Sequence, residues 1–224
     1  MWTRQQIART IDHAALKPFM TDEDIVAACD VGKRYGVASV CVRPSDVALA
    51  AAQLQGTDVV PSTVIGFPHG ANRPETKSLE ARWAIADGAG ELDMVMNLGK
   101  FLSGDFDWVQ RDIEAVVAEA REQSGVLVKV ILETCYLSPP RIAHACQIAR
   151  AAGADFVKTS TGFGDGPATP EAVRIMLETV GDTMGVKPSG GIRDYEAACR
   201  YLDMGVQRLG IAATEVVLNA APVE

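Results

Sequence analysis

Apolar and polar positions alternate along this chain in two rhythms. Short runs rich in Val, Ile and Leu occupy positions 39–42, 63–66, 92–96, 127–131, 156–158, 185–187 and 207–210, with a first run near 10–12. Each is too short for a helix and is bounded by turn residues, which predicts eight buried strands. The longer stretches between them are helix-like. Over 107–122, Trp108, Ile113, Val116 and Val117 fall near helical spacing against charged Arg111, Asp112 and Glu119. Four helix-like stretches close on a glycine just before a strand, at Tyr35-Gly36-Val37, Asp87-Gly88-Ala89, Ala152-Gly153-Ala154 and Met204-Gly205-Val206. Helix starts carry matching chemistry: Thr21 with Asp24 forms a capping-box pattern, and Ser138-Pro139 and Thr169-Pro170 set a capping residue before a first-turn proline. Eight strand-helix units in 224 residues average 28 residues each, close to the smallest (β/α)8 barrel. The expectation is a single α/β domain spanning 1–224. A doubly wound open sheet is the alternative, weakened by the lack of a GxGxxG turn and by polar residues inside several strands.

Composition narrows the function. With 48% hydrophobic and 22% charged residues the chain can build a large core. No apolar run reaches the roughly 18 to 20 residues needed to cross a bilayer, and positions 1–6 lack the order of a secretory signal, so the expected location is cytoplasmic and away from membranes. A net charge of -8 repels phosphate backbones and argues against nucleic acid as a partner. Five cysteines without a CxxC pair disfavour a disulfide framework or a structural zinc site. Three histidines, His13, His69 and His144, show no metal-ligand spacing.

Three predicted strands share a dipeptide, Val128-Lys129, Val157-Lys158 and Val186-Lys187, each lysine 29 residues beyond the last. That interval matches one strand-helix unit, so the lysines are expected at similar heights with a shared orientation. They either line the barrel interior or sit at strand ends with their stems on apolar surface. Lys158 and Lys187 lead into Gly-rich loops, 159–166 with Thr161 and Gly162, and 189–192 with Gly190 and Gly191. Barrel active sites lie at the C-terminal ends of the strands, and phosphate often binds after strands seven and eight, where Gly190, Gly191 and Gly210 fall. Glycine lets backbone N–H groups approach an anion, although tight turns alone would also call for it. Asp93 lies in a buried run, where a carboxylate is costly without a partner. A lysine would supply that partner, as a structural ion pair or as a proton-transfer site. Asp12, beside His13, is a second candidate. His13 itself reads as a packing or hydrogen-bonding residue, and Cys41 as a buried thiol.

Taken in order, Ile11-Asp12-His13 through Lys17-Pro18, Val40-Cys41-Val42, Val64-Ile65-Gly66-Phe67-Pro68, Glu91-Leu92-Asp93, the stretch from Val128 to Thr134, the stretch from Val157 to Phe163, and Val186-Lys187 before Ser189-Gly190-Gly191-Ile192 resemble the deoxyribose-phosphate aldolases of the lysine Schiff-base type. The resemblance covers nearly the whole chain. It implies reversible cleavage of 2-deoxyribose 5-phosphate to acetaldehyde and glyceraldehyde 3-phosphate without metal or cofactor. Lys158 would form the imine, Lys187 would tune it, and Asp93, assisted by Asp12 and water, would move protons. Thr161, Gly162, Gly190, Gly191, Gly210 and Cys41 would surround the substrate, and a homo-oligomer, dimer or tetramer, is implied. The chain departs from the family in reading Gly210-Ile211-Ala212-Ala213 where small hydroxyl residues are usual, and Ala14-Ala15 where Thr is common. Its last residues, 219–224, include no tyrosine such as some relatives bring to the site. Competing readings are a Schiff-base or transaldolase-like enzyme with another donor or an unphosphorylated substrate, a metal-dependent phosphosugar enzyme, and a non-catalytic phosphosugar-binding barrel.

Overall fold

The computed structural model describes residues 1–123 and 125–223. The strands are β1 (Ile11–Ala15), β2 (Ser39–Val42), β3 (Val60–Ile65), β4 (Glu91–Val95), β5 (Leu127–Ile131), β6 (Phe156–Lys158), β7 (Gly185–Lys187) and β8 (Leu209–Ile211). All pair in parallel in the order β7-β6-β5-β4-β3-β2-β1-β8. A Ser189–Gly210 bridge joins the two outer strands, so the sheet curls into a nearly closed barrel and the open-sheet alternative falls away.

The helices are α1 (Arg4–Ala8), α2 (Asp22–Tyr35), α3 (Val47–Leu54), α4 (Pro74–Ala86), α5 (Leu98–Leu102), α6 (Phe106–Arg121), α7 (Pro139–Ala151), α8 (Pro170–Val180), α9 (Tyr195–Asp203) and α10 (Thr214–Ala220). Local chemistry sets their ends. Thr21 and Asp24 close the expected capping box on α2, and Gly36 ends that helix at φ 64°, a left-handed position where glycine avoids Cβ strain. Thr169 accepts from the Ala172 N–H at the start of α8. Ser138 makes no such bond. Pro139 and Pro140 have no N–H to offer it, and the Arg141 N–H goes instead to the Ser138 carbonyl.

Short, weakly patterned elements depart from the sequence reading. α1 and α5 escape a periodicity count. β1 extends through Ala14 and Ala15, poor strand formers held by pairing to Cys41 and Val42. β3 begins at Val60, and β8 begins at Leu209, two residues past the expected start.

Alternation within strands divides the barrel wall. Val40, Val42, Leu92, Met94, Val128, Val130, Val157, Val186 and Leu209 point outward and pack with Ile25, Ile113, Val116, Val173 and Val217 from the helices. The opposite parity points inward. The pairings Val64↔Asp93, Asp93↔Lys129, Lys158↔Lys187 and Asp12↔Gly210 put those residues inside, together with Cys41. Lys158 lies level with Lys187, but Lys129 pairs with Phe156. Lys129 therefore sits two residues, one inward layer, nearer the N-terminal end, because barrel shear steps the register between β5 and β6.

Candidate active site

Charged side chains fill the inner barrel. Lys158 Nζ is 2.6 Å from Asp93 Oδ2, and Lys187 Nζ is 2.7 Å from the same oxygen. Lys187 also donates to Asp12. One layer down, Lys129 donates to Glu91 at 2.6 Å and to Asp93 Oδ1 at 2.9 Å, with Asp12 Oδ2 at 3.3 Å. Arg208, just before β8, donates to Asp12 and to both oxygens of Glu91, at 2.6 and 3.0 Å. Four potential cations thus face three carboxylates, Asp12, Glu91 and Asp93.

The three lysines differ in their share of negative charge. Lys129 touches three carboxylates, Lys187 two and Lys158 one. Burial disfavours all three ammonium groups. For Lys129 the carboxylates outweigh it and hold the amine well above its usual range; Asp12 and Asp93 likewise raise Lys187. For Lys158 burial prevails: Asp93 opposes it, the neighbouring Lys187 charge adds to it, and the pKa falls. Burial pushes Asp12 and Asp93 up, but the surrounding lysines overcome it and keep both well below the ordinary carboxylate range. Lys158 also has the most access, at 5% side-chain exposure against 1% for Lys187 and 0% for Lys129.

Above this layer opens a cavity of about 500 Å³. Lys158, Lys187, Asp12 and Cys41 form its floor; Thr161, Gly162, Gly190, Gly191 and Gly210 are on its walls. The cavity thus takes in each residue expected to act on or surround the substrate except Asp93, which lies beneath, in contact with both amines. Gly190 and Gly191 both line the cavity with φ in the left-handed region, 81° and 80°, a conformation that glycine adopts without Cβ strain. Cys41 is buried, and burial raises its thiol pKa. Thr161 is less free than its position suggests, since its hydroxyl donates to Glu133, whose carboxylate also accepts the Thr161 N–H. His13 lies outside the site, paired with the Thr214 hydroxyl at 2.8 Å. Among the described residues no group of three or more His, Cys, Asp or Glu is arranged to hold a metal ion.

Glu91, Arg208, Ser189 and Arg193 were not singled out in the sequence, although all either join the charge network or line the cavity. An inward parity for Glu91 followed from Asp93 two residues later. Arg208 had no comparable signal, because the expected β8 carried no register.

A parallel barrel with a buried, under-countered amine open to a cavity at the C-terminal ends of its strands is the construction of a lysine-dependent aldolase, a lyase. Comparison with known proteins agrees. The family model described as DeoC/LacD family aldolase matches residues 7–213. A deoxyribose-phosphate aldolase of Thermococcus gammatolerans is 51% identical over 217 residues, covering 96% of each chain, and one of Thermococcus kodakarensis is 48% identical, covering 99% of each. The solved tetrameric deoxyribose phosphate aldolase of Aeropyrum pernix, 31% identical, superposes with a TM-score of 0.90 over 97% of this chain and 91% of that one. The chain belongs to the DeoC/LacD aldolase family.

Proposed function

We propose that this protein reversibly cleaves 2-deoxy-D-ribose 5-phosphate to acetaldehyde and D-glyceraldehyde 3-phosphate through an imine on Lys158. The observation that carries the assignment is that Lys158, alone of the three interior lysines, faces a single carboxylate and opens to the cavity. A lysine at its reference pKa is neutral in only about one molecule in 2,500 at pH 7. Burial and the Lys187 charge lower that barrier to nucleophilicity.

Lys158 Nζ adds to the aldehyde carbon of the open-chain sugar and water leaves, giving a protonated imine. A base takes the C3 hydroxyl proton. The C2–C3 electron pair then moves into the imine, releasing glyceraldehyde 3-phosphate and leaving the enamine of acetaldehyde. Protonation at C2 and hydrolysis return acetaldehyde and the free amine. A carboxylate as acidic as Asp93 is a weak terminal base, so its part is to hold both amines and pass the proton on, with Asp12, Lys187 and water as the remaining links. The Gly162, Gly190 and Gly191 backbone receives the phosphate. The likeness to a tetrameric relative supports a homo-oligomer, and the absence of any membrane-spanning helix among the described residues is compatible with the cytoplasm.

Treatment with acetaldehyde and borohydride, followed by peptide mapping, tests the assignment. An ethyl group is expected on Lys158. Label concentrated on Lys129 or Lys187 would overturn it.

A further inference from the structure

Arg208 and Glu91 take no part in the chemistry just described, yet both are tied into the inner network by several charged contacts. The guanidinium spans Glu91 and Asp12, and lies 5.9 Å from the centre of the Phe156 ring. Glu91 in turn holds Lys129, and Lys129 holds Asp93. Their side chains are 15% and 3% exposed, so water screens them poorly. With every group ionised, Lys129, Lys158, Lys187 and Arg208 carry four positive charges against three negative ones. Releasing one proton balances the interior. Arg208 cannot release it, because a guanidinium stays charged in proteins. Lys129 and Lys187 are the amines with two or more carboxylates, which leaves Lys158.

We propose that Arg208 and Glu91 are positioning residues which set the charge balance of the barrel interior and thereby select Lys158 as the amine that loses its proton. Arg208 supplies the permanent fourth cation; Glu91 keeps Lys129 charged and aimed at Asp93. The groups facing Lys158 are Asp93 from β4, Lys187 from β7 and Cys41 from β2, with Asp12 on β1 and Lys129 on β5 reached through the carboxylates. Arg208 and Glu91 act on Lys158 only through this set. The inference rests on the imine assignment to Lys158.

The consequence is a pair of opposite signs. Without the Arg208 charge the interior is balanced with Lys158 protonated, so its pKa rises. Without the Glu91 charge the excess grows, so its pKa falls. The test is the pH dependence of acetaldehyde trapping by cyanoborohydride, with the label mapped in every variant. Relative to the native protein, Arg208→Met is expected to move the midpoint of the rate upward by about one pH unit, a tenfold change in neutral amine, and Glu91→Gln to move it downward by a similar amount. The double variant R208M/E91Q returns it near the native value, and Arg208→Lys, which keeps the charge, leaves it nearly in place. Loosening of the barrel would shift both single variants the same way. Equal-signed shifts, or none, with the label still on Lys158 overturn this inference; label elsewhere overturns the imine assignment instead. Should one single variant fail to fold, the other compared with the double gives the same test of sign.

Discussion

Ala212 and Gly210 show how single positions tune this cavity. Both are on its wall, and neither offers a side-chain donor. Gly210 has a steric reason for its identity: a Cβ there would meet Ser189 Cβ at 2.5 Å and Lys187 Cε at 3.3 Å, displacing the second amine. Ala212 is exposed where it lines the cavity and is the place where a hydroxyl would strengthen the proposed phosphate seat. A hydrogen bond to a charged group contributes about 1.5 to 3 kcal/mol, so Ala212→Ser is expected to lower KM for 2-deoxyribose 5-phosphate about tenfold and barely alter it for 2-deoxyribose. Measuring both constants at one ionic strength decides; equal changes would show that position 212 does not face the phosphate. At this scale the sequence was most readable. Lys158, Lys187, Asp93 and Asp12 stand out because charged residues inside apolar strands need a reason, whereas Arg208 lay in a run whose facing was unknown.

Among elements, register and helix pairing carry what spacing alone does not. The equal 29-residue intervals pointed to three lysines at one height, yet shear sets Lys129 below the other two. Spacing counts residues along the chain and is blind to the stagger between strands. Outside the barrel, α4 and α6 meet through a fully buried pair: Lys77 donates to Asp112 and to the Val95 carbonyl. Burial pushes the Asp112 carboxyl up to about 6 even with Lys77 beside it. In Lys77→Met that opposing charge is gone, so the folded-state pKa rises further while the unfolded value stays near about 3.9. A carboxyl raised on folding favours the folded state below its unfolded pKa and loses that contribution as pH climbs through the folded one. The variant should therefore lose little stability near pH 4 and about 3 to 5 kcal/mol at pH 8. Thermal unfolding at both values checks this. A deficit independent of pH would mean that Lys77 acts by packing rather than by charge.

Across the whole molecule the barrel is unevenly closed. Most neighbouring strands share a ladder, but β7 and β8 meet through the Ser189–Gly210 bridge and N–H donations from Gln207 and Arg208 to Val186 and from Gly210 to Pro188. Those contacts are long at 3.3 and 3.5 Å for the first two. Local opening starts where hydrogen bonding is sparse. Amide exchange is expected to be faster at Gln207, Arg208 and Gly210 than in the β4–β5 ladder; equal protection would show the seam to be as firm as the rest. The eight-strand count was legible in the chain because each strand is a discrete apolar run. The seam was not, since closure depends on the end strands' register. The interior charge balance has a last consequence, on the proposed chemistry. The protonated imine on Lys158 adds a positive charge to a chamber otherwise matched at three of each sign. Drawing the C2–C3 electron pair inward cancels that excess, so bond cleavage is the step that relieves the chamber. A hydroxyl proton left on Asp93 would restore the imbalance. Its stable destination is therefore outward, through the cavity mouth to solvent, and each turnover ejects a proton before it takes one back.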